Sequence, residues 1–237
     1  MISKYVDYAE YYDSDHPFEE DISFYLEFAE KTGDPILELA CGTGRLLIPI
    51  AKSGHNVFGV DFSENMLAVA KKKVNEQNLD KKITLIHGNM TNFSLDERSF
   101  ALAFIAARSF MHLYSQKDQL SCLNSVIKHL RPGGLFIVDV YSPNLQILAQ
   151  SQSTKFRLRK SYILPNGNRV RNKTRSIEND FLNQISKWEI KFEEYNKKGN
   201  LIRTKIVPMD TRYTFRYELQ LLLEKVGFEV LTIFSDY

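Results

Sequence analysis

The sequence predicts an α/β fold: a mostly parallel β-sheet covered by helices on both faces, with an antiparallel β-sheet inserted after the fifth strand. Three observations carry that prediction. Over the first 140 residues, short continuous apolar runs alternate with stretches of helical spacing, and continuous rather than alternating apolar strands mean burial on both faces. Residues 155–207 switch to short alternating segments around turn signals. Helical spacing then returns over 216–226, before one more apolar run.

Taken in order, Pro35 introduces Ile36-Leu37-Glu38-Leu39 as a buried strand. Gly44 to Lys52 reads as a helix ended by Gly54, and Val57 to Val60 as the second strand. Ser63 offers an N-cap, with Glu64 in the first turn and Met66, Leu67, Ala70 and Val74 at helical spacing. Ile83 to Ile86 and Phe100 to Ala106 are the third and fourth strands. Gln116 to Leu130 is a helix stopped by Pro132-Gly133-Gly134, and Leu135 to Val140 is the fifth strand. Pro165-Asn166-Gly167-Asn168 and the stretch Asn196 to Asn200 read as hairpin turns. Trp188, Ile190 and Phe192 then share one strand face. Arg216 to Val226 is helical, and Phe228 to Phe234 reads as a sixth core strand. The expected parts are an N-terminal segment (1–34), a core (35–143 and 211–237) and a β insertion (144–210).

Composition excludes several classes. The 237 residues hold 31 Lys+Arg and 29 Asp+Glu, and are 43% apolar, which fits a globular chain rather than a polycation or a disordered one. Cys41 and Cys122 supply neither a disulfide framework nor a zinc site. The stretch Met1 to Tyr5 lacks the apolar core of an export signal, and the longest apolar run, Phe100 to Ala107, is too short to cross a bilayer. A soluble cytoplasmic protein is the expectation. The net +2 conceals a partition: residues 1–30 carry nine acids and one lysine, whereas 155–205 carry fourteen basic residues and five acids.

The chemically informative stretch is Glu38-Leu39-Ala40-Cys41-Gly42-Thr43-Gly44-Arg45, between the first strand and the first sheet helix. Its glycines let backbone amides approach a ligand. Asp61 ends the second strand, where a carboxylate can accept hydrogen bonds from both hydroxyls of a ribose. A dinucleotide fingerprint begun at Gly42 would need a third glycine where Leu47 stands, and no Lys-Ser/Thr follows to make a phosphate loop. An acid ahead of the glycines repels pyrophosphate but suits a cation, such as the sulfonium and ammonium of S-adenosylmethionine. Cys41 reads as a packing residue.

E-L-A-C-G-T-G-R, V-D-F-S, H-G-N-M and L-R-P-G-G-L-F-I together resemble the class I S-adenosylmethionine-dependent methyltransferases. The resemblance covers about residues 8–143 and 211–236. It implies a seven-stranded Rossmann-like sheet. It further implies Glu38, Ala40, Gly42 and Gly44 at the methionine part, Asp61 at the ribose with Phe62 and Met66 nearby, and Asn89 and Met90 at the adenine. Arg45 and Ala106 join the implied cofactor set. Three departures stand out. Ala40 replaces a common glycine. Asn89 stands where an Asp usually accepts from the adenine amino group, so weaker binding is expected. No segment for a seventh strand follows Ser235-Asp236-Tyr237.

The methyl acceptor belongs at the end of the fourth strand, here Ala106-Ala107-Arg108-Ser109-Phe110-Met111-His112-Leu113. That is not the Asn/Asp-Pro-Pro-Tyr loop used on nucleobase amines, and no Pro-Cys occurs, which argues against DNA. No acid sits there to hold a metal. His112 is a candidate base and Arg108 a candidate partner for an anionic acceptor; a packed histidine and a surface arginine are the plainer alternatives. Tyr12-Asp13 matches a Tyr-Asp lid that closes over the cofactor in similar small-molecule enzymes, including sugar N,N-dimethyltransferases. His112 matches the histidine of their S-x-x-H-L loop. Tyr8, Tyr11 and Tyr12 precede the first long helix; the plainer alternative is that they are ordinary amphipathic-helix residues. Tyr141 is expected on the acceptor side.

Arg157, Arg159, Arg171, Lys173 and Arg175 fall on one face if the first inserted hairpin has a three-residue loop. Such a face would be solvated, draw in an anionic acceptor, or meet the acidic lid of a partner subunit in a homodimer. The expected function is methyl transfer from S-adenosylmethionine to an N- or O-nucleophile of a small molecule. The alternatives are an RNA or protein methyltransferase using the basic insertion, a nicotinamide-dependent oxidoreductase, and a binding module without activity.

Overall fold

The computed structural model describes residues 8–97, 99–149, 153 and 155–237. The Met1 to Tyr5 stretch lies outside them. The chain runs α1 (Ala9–Asp15), α2 (Ile22–Thr32), β1 (Ile36–Leu39), α3 (Leu47–Lys52), β2 (Val57–Asp61), α4 (Glu64–Glu76), β3 (Ile83–His87) and β4 (Phe100–Ile105). A 3₁₀ turn (Ser109–His112) leads to α5 (Gln116–His129), β5 (Leu130–Val138) and α6 (Leu145–Leu148). The insertion holds β6 (Arg157–Ile163), β7 (Arg169–Asp180), β8 (Ile185–Tyr195), β9 (Leu201–Pro208) and β10 (Thr211–Arg212), and α7 (Arg216–Val226) follows.

The first sheet is parallel, in the order β3-β2-β1-β4-β5. Every residue of the interior strand β4 is buried, as the unbroken run Phe100-Ala101-Leu102-Ala103-Phe104-Ile105 requires of a strand covered on both sides. One core, with Leu123, Val126 and Leu222, packs α5 and α7 on one face; the other, with Tyr25, Leu47 and Ile50, packs α2 and α3 on the opposite face. Ser63 caps α4 by accepting the Met66 amide at 3.3 Å. The order in which strands are added reverses between β1 and β4, with β2 and β3 on one side and β4 and β5 on the other, so a crevice opens at the carboxyl ends of these strands.

Two expectations about the sheet need correction. β5 begins at Leu130, so Pro132-Gly133-Gly134 lies inside it as an irregular start with a register shift against β4. Gly134 is required there, because a Cβ would fall 2.9 Å from the Phe100 carbonyl oxygen. Phe228 to Phe234 forms no strand: with no neighbouring strand to bond, the run is held by its rings, Phe228 on Phe136 and Phe234 on Phe24, while Leu231 and Ile233 stay exposed.

The second sheet is antiparallel, in the order β10-β8-β7-β6, with β9 also on β8. It reaches Arg212, two residues past the expected end of the insertion at 210. The first hairpin does close on three residues, Pro165-Asn166-Gly167, since the Leu164 amide donates to Asn168 O at 2.8 Å. The five basic residues nevertheless do not share a face. A bulge at Arg159 sets Leu158 opposite Lys173 and Arg157 opposite Thr174, so Arg157 turns away from Arg171, Lys173 and Arg175. On the outer face, Lys173 and Lys191 pair with Glu193, and Arg175 with Glu189. The inner face packs Val170, Ile190, Phe192 and Val207 against Tyr8 and Tyr11 of the N-terminal segment.

Candidate active site

A cavity of about 750 Å³ occupies the crevice beyond β1, β2 and β4, roofed by α1 and the inserted sheet. One end is built by the glycine loop. Gly42 has φ +55°, a conformation open to glycine at little cost, and nothing lies within 4 Å of where its Cβ would be. Ala40 adopts φ +57°, which explains why glycine suits this position in similar loops. Asp61 terminates β2 with its Oδ2 accepting the Gly42 amide at 2.7 Å and its Oδ1 accepting the Ser63 amide at 2.7 Å. Each oxygen keeps a second lone pair. Burial raises the Asp61 carboxyl above its ordinary value, although these backbone bonds oppose it.

Of the expected cofactor residues, Tyr12, Ala40, Gly42, Arg45, Asp61, Phe62, Met66, Asn89 and Met90 line the cavity. Glu38, Gly44 and Ala106 are set back from its wall. Gly44 packs beside Ala70 and Ile48, and Ala106 is buried in the core just before the cavity residue Ala107. Glu38 is 4% exposed, and its Oε2 is buried with no hydrogen-bond partner among the described residues. Burial raises its pKa well above the usual carboxylate range. A buried acid with one oxygen left without a partner, beside a glycine loop, fits a ligand that brings a cation. Arg45 makes a bidentate pair with the buried Asp21 at 2.5 and 2.7 Å and so joins the loop to the start of α2. Asn89 turns its side-chain oxygen onto Thr91, accepting from both amide and hydroxyl at 3.0 Å. The expected adenine acceptor is therefore already engaged, and the atom left over is a donor.

The other end carries Arg108, His112 and Tyr141. Ala107 and Arg108 both have positive φ, +51° and +62°, a sharp corner after β4. The Arg108 amide donates to Asp139 Oδ2 at 3.2 Å, and its guanidinium lies 5.6 Å from the Tyr141 ring centroid. His112 Nδ1 lies 3.2 Å from the Asp210 carbonyl oxygen. That partner accepts only, so Nδ1 is the donor. Trp188, Ile190 and Met209 add an apolar wall from the inserted sheet, with Arg159 and Lys160 beside it.

Tyr12 roofs the cofactor end, and burial pushes its phenol up to about 12. Its ring stacks on His16 at 4.9 Å and 17°. Asp13 accepts from the Thr43 hydroxyl at 2.6 Å and pairs with Lys73 at 2.9 Å, which ties the segment to the glycine loop and α4. His16 and Asp15 were not foreseen. Only their adjacency to the Tyr12-Asp13 motif could have drawn attention to them. Burial pushes the His16 imidazole down to about 4, so it is neutral at pH 7.

The fold is similar to that of methyltransferases of known structure, among them an S-adenosylmethionine-dependent methyltransferase of Clostridium acetobutylicum, with TM-score 0.76 and 22% identity over 96% of this chain and 89% of that one. Residues 36–134 match the family model described as a methyltransferase domain. The chain is 32% identical over 139 residues to a demethylmenaquinone methyltransferase of Lactobacillus johnsonii, covering 57% of this chain and 55% of that one. It thus spans about half the length of the curated relatives it matches. Among solved structures, it is similar to the CcbJ methyltransferase of Streptomyces caelestis, with TM-score 0.69 and 25% identity over 88% of this chain and 78% of that one. It also shares its fold with the sugar N-methyltransferase KedS8 of a Streptoalloteichus species, with TM-score 0.71 and 18% identity over 92% and 82%. Among the described residues no helix is long and apolar enough to cross a membrane, and no cluster of His, Cys, Asp or Glu could hold a metal ion.

Proposed function

We propose that this protein transfers a methyl group from S-adenosylmethionine to a nitrogen or oxygen of a small molecule. The observation that carries the reading is the single cavity joining the Asp61 end to the His112 end beneath the inserted sheet. Its volume falls in the range of small-ligand sites and suits a cofactor with a compact acceptor. The cofactor supplies the electrophilic methyl group. Asp61 would accept from the ribose hydroxyls, Glu38 would face the cationic methionine part, and Tyr12 would exclude water from above. Arg108 and Arg159 make an anionic acceptor the better fit, with Trp188 and Met209 against its apolar part. His112, protonated on Nδ1, would take the acceptor's proton at Nε2.

Two alternatives are less well supported. The basic outer face of the insertion is met by its own glutamates, which leaves little for RNA or an acidic protein. Leu47 is fully buried where a dinucleotide site needs a glycine. The same reading has the enzyme working in the cytoplasm, with its free Cys41 and Cys122 reduced. A homodimer is expected on light scattering. Calorimetric titration with S-adenosylmethionine and its demethylated product tests the core of the proposal. Binding of both, followed by cofactor turnover with members of an amine and hydroxyl library, supports it. Failure of either to bind overturns it.

A further inference from the structure

Asp15, the last residue of α1, is 0% exposed although it carries a carboxylate. Beside its neighbour His16, whose Nδ1 lies 3.5 Å from Oδ2, three groups meet it. The Tyr8 hydroxyl donates to Oδ2 at 2.8 Å, the Asn172 side-chain amide of β7 donates to Oδ1 at 2.7 Å, and the Lys160 ammonium of β6 lies 3.1 Å from Oδ1. Two of the three come from the inserted sheet. Tyr8 spends its one hydroxyl hydrogen on Asp15, so it accepts from His16 Nδ1, 2.8 Å away. His16 in turn stacks on Tyr12, and both line the cavity. An unbroken chain of contacts thus runs from the sheet through Asp15, Tyr8 and His16 to the ring above the cofactor end.

We propose that Asp15 is a positioning residue: its buried carboxylate fastens the N-terminal lid to the inserted sheet and so sets His16 and Tyr12 over the bound cofactor. The inference rests on the cofactor reading above and deepens it. Burying an ion pair is costly, and apolar packing of similar volume would serve the core as well or better. Apolar packing is already at hand, since Tyr8 and Tyr11 both stack on Phe192. What the ion pair adds is direction, because it admits one register of the lid against the sheet. The exposed pairs of Glu10 with Arg203 and Lys205 lie farther along the same seam and carry no such constraint.

The test is cofactor affinity and steady-state kinetics in four proteins: wild type, Asp15→Asn, the swap Asp15→Asn with Asn172→Asp, and Glu10→Gln. Asp15→Asn should weaken binding of S-adenosylmethionine and its demethylated product by about tenfold or more, with KM for the cofactor rising in step and kcat at saturation falling less than about threefold. The swap restores a carboxylate to the same site from the other side and should recover most of the lost affinity. Glu10→Gln should shift affinity by less than about twofold. A residue serving stability alone would lower the melting temperature without moving KM. Wild-type binding with unchanged affinity in soluble Asp15→Asn overturns this inference and leaves the cofactor reading standing. A wild type that binds no cofactor overturns both. Should Asp15→Asn fail to fold, Lys160→Gln reads the same tether from the sheet: about tenfold weaker cofactor binding supports it, and unchanged binding overturns it.

Discussion

Asp61 Oδ2 accepts the backbone N–H of Gly42 at 2.7 Å, which ties the end of β2 to the glycine loop after β1. The carboxylate therefore shapes the loop as well as facing the expected ribose. Asp61→Ala should raise the dissociation constant for S-adenosylmethionine by about 10- to 100-fold, the loss of one or more hydrogen bonds to a charged group. Asp61→Asn should be nearly as damaging, because its amide nitrogen cannot accept from Gly42 or Ser63. Calorimetry reads both, and affinities within twofold of wild type would remove the assignment.

Glu38 leads to a prediction about protons. Burial holds its carboxyl well above the usual range, and a bound cation would bring it down. Binding then releases a proton, so affinity climbs as pH rises toward the ligand-free pKa, by at most about tenfold per pH unit for one proton. Titrations in phosphate and in Tris should give different apparent enthalpies, and Glu38→Gln should abolish the difference. Equal enthalpies in both buffers for the wild type would exclude the linkage.

Asn89 offers a gain of function. Its oxygen is occupied by Thr91, whereas a carboxylate could accept from Thr91 and from an adenine amino group together. Asn89→Asp should tighten cofactor binding by about 2- to 10-fold, the worth of one added hydrogen bond. A weaker complex would place the adenine elsewhere.

For His112 the test separates chemistry from binding. His112→Ala should lower kcat by about 10²- to 10⁴-fold, the usual contribution of a positioned base, with KM for the cofactor little changed. A kcat close to wild type would leave His112 a packing residue held by Asp210.

Much of the fold was legible because local chemistry decided it. β4 is apolar at every position, Ser63 has the right side chain to cap α4, and Asp61 lies at the spacing from Glu38 that a β-α-β turn imposes. The residues expected at the cofactor end came instead from the family resemblance, and nine of those twelve line the cavity. What escaped depends on distant partners. Asp15 meets Asn172, 157 residues away, and no local pattern announces that a charged helix end will be buried. The bulge at Arg159 is one unpaired residue, yet it turned Arg157 to the other face. Phe228 to Phe234 has the apolarity of a strand but no partner to make it one, and ladder formation is a property of two segments.

The seam between lid and inserted sheet also fixes the order in which the protein becomes competent. The parallel sheet and glycine loop use residues up to Val138, whereas Glu10 finds its partners at Arg203 and Lys205, 193 and 195 residues later. A chain leaving the ribosome has made all five strands of the parallel sheet before the N-terminal segment has the inserted sheet to hold it. Contacts of such sequence separation are the slowest to form. The pocket can thus be roofed only once the inserted sheet has been made, and α7, which covers one face of the parallel sheet, comes later still.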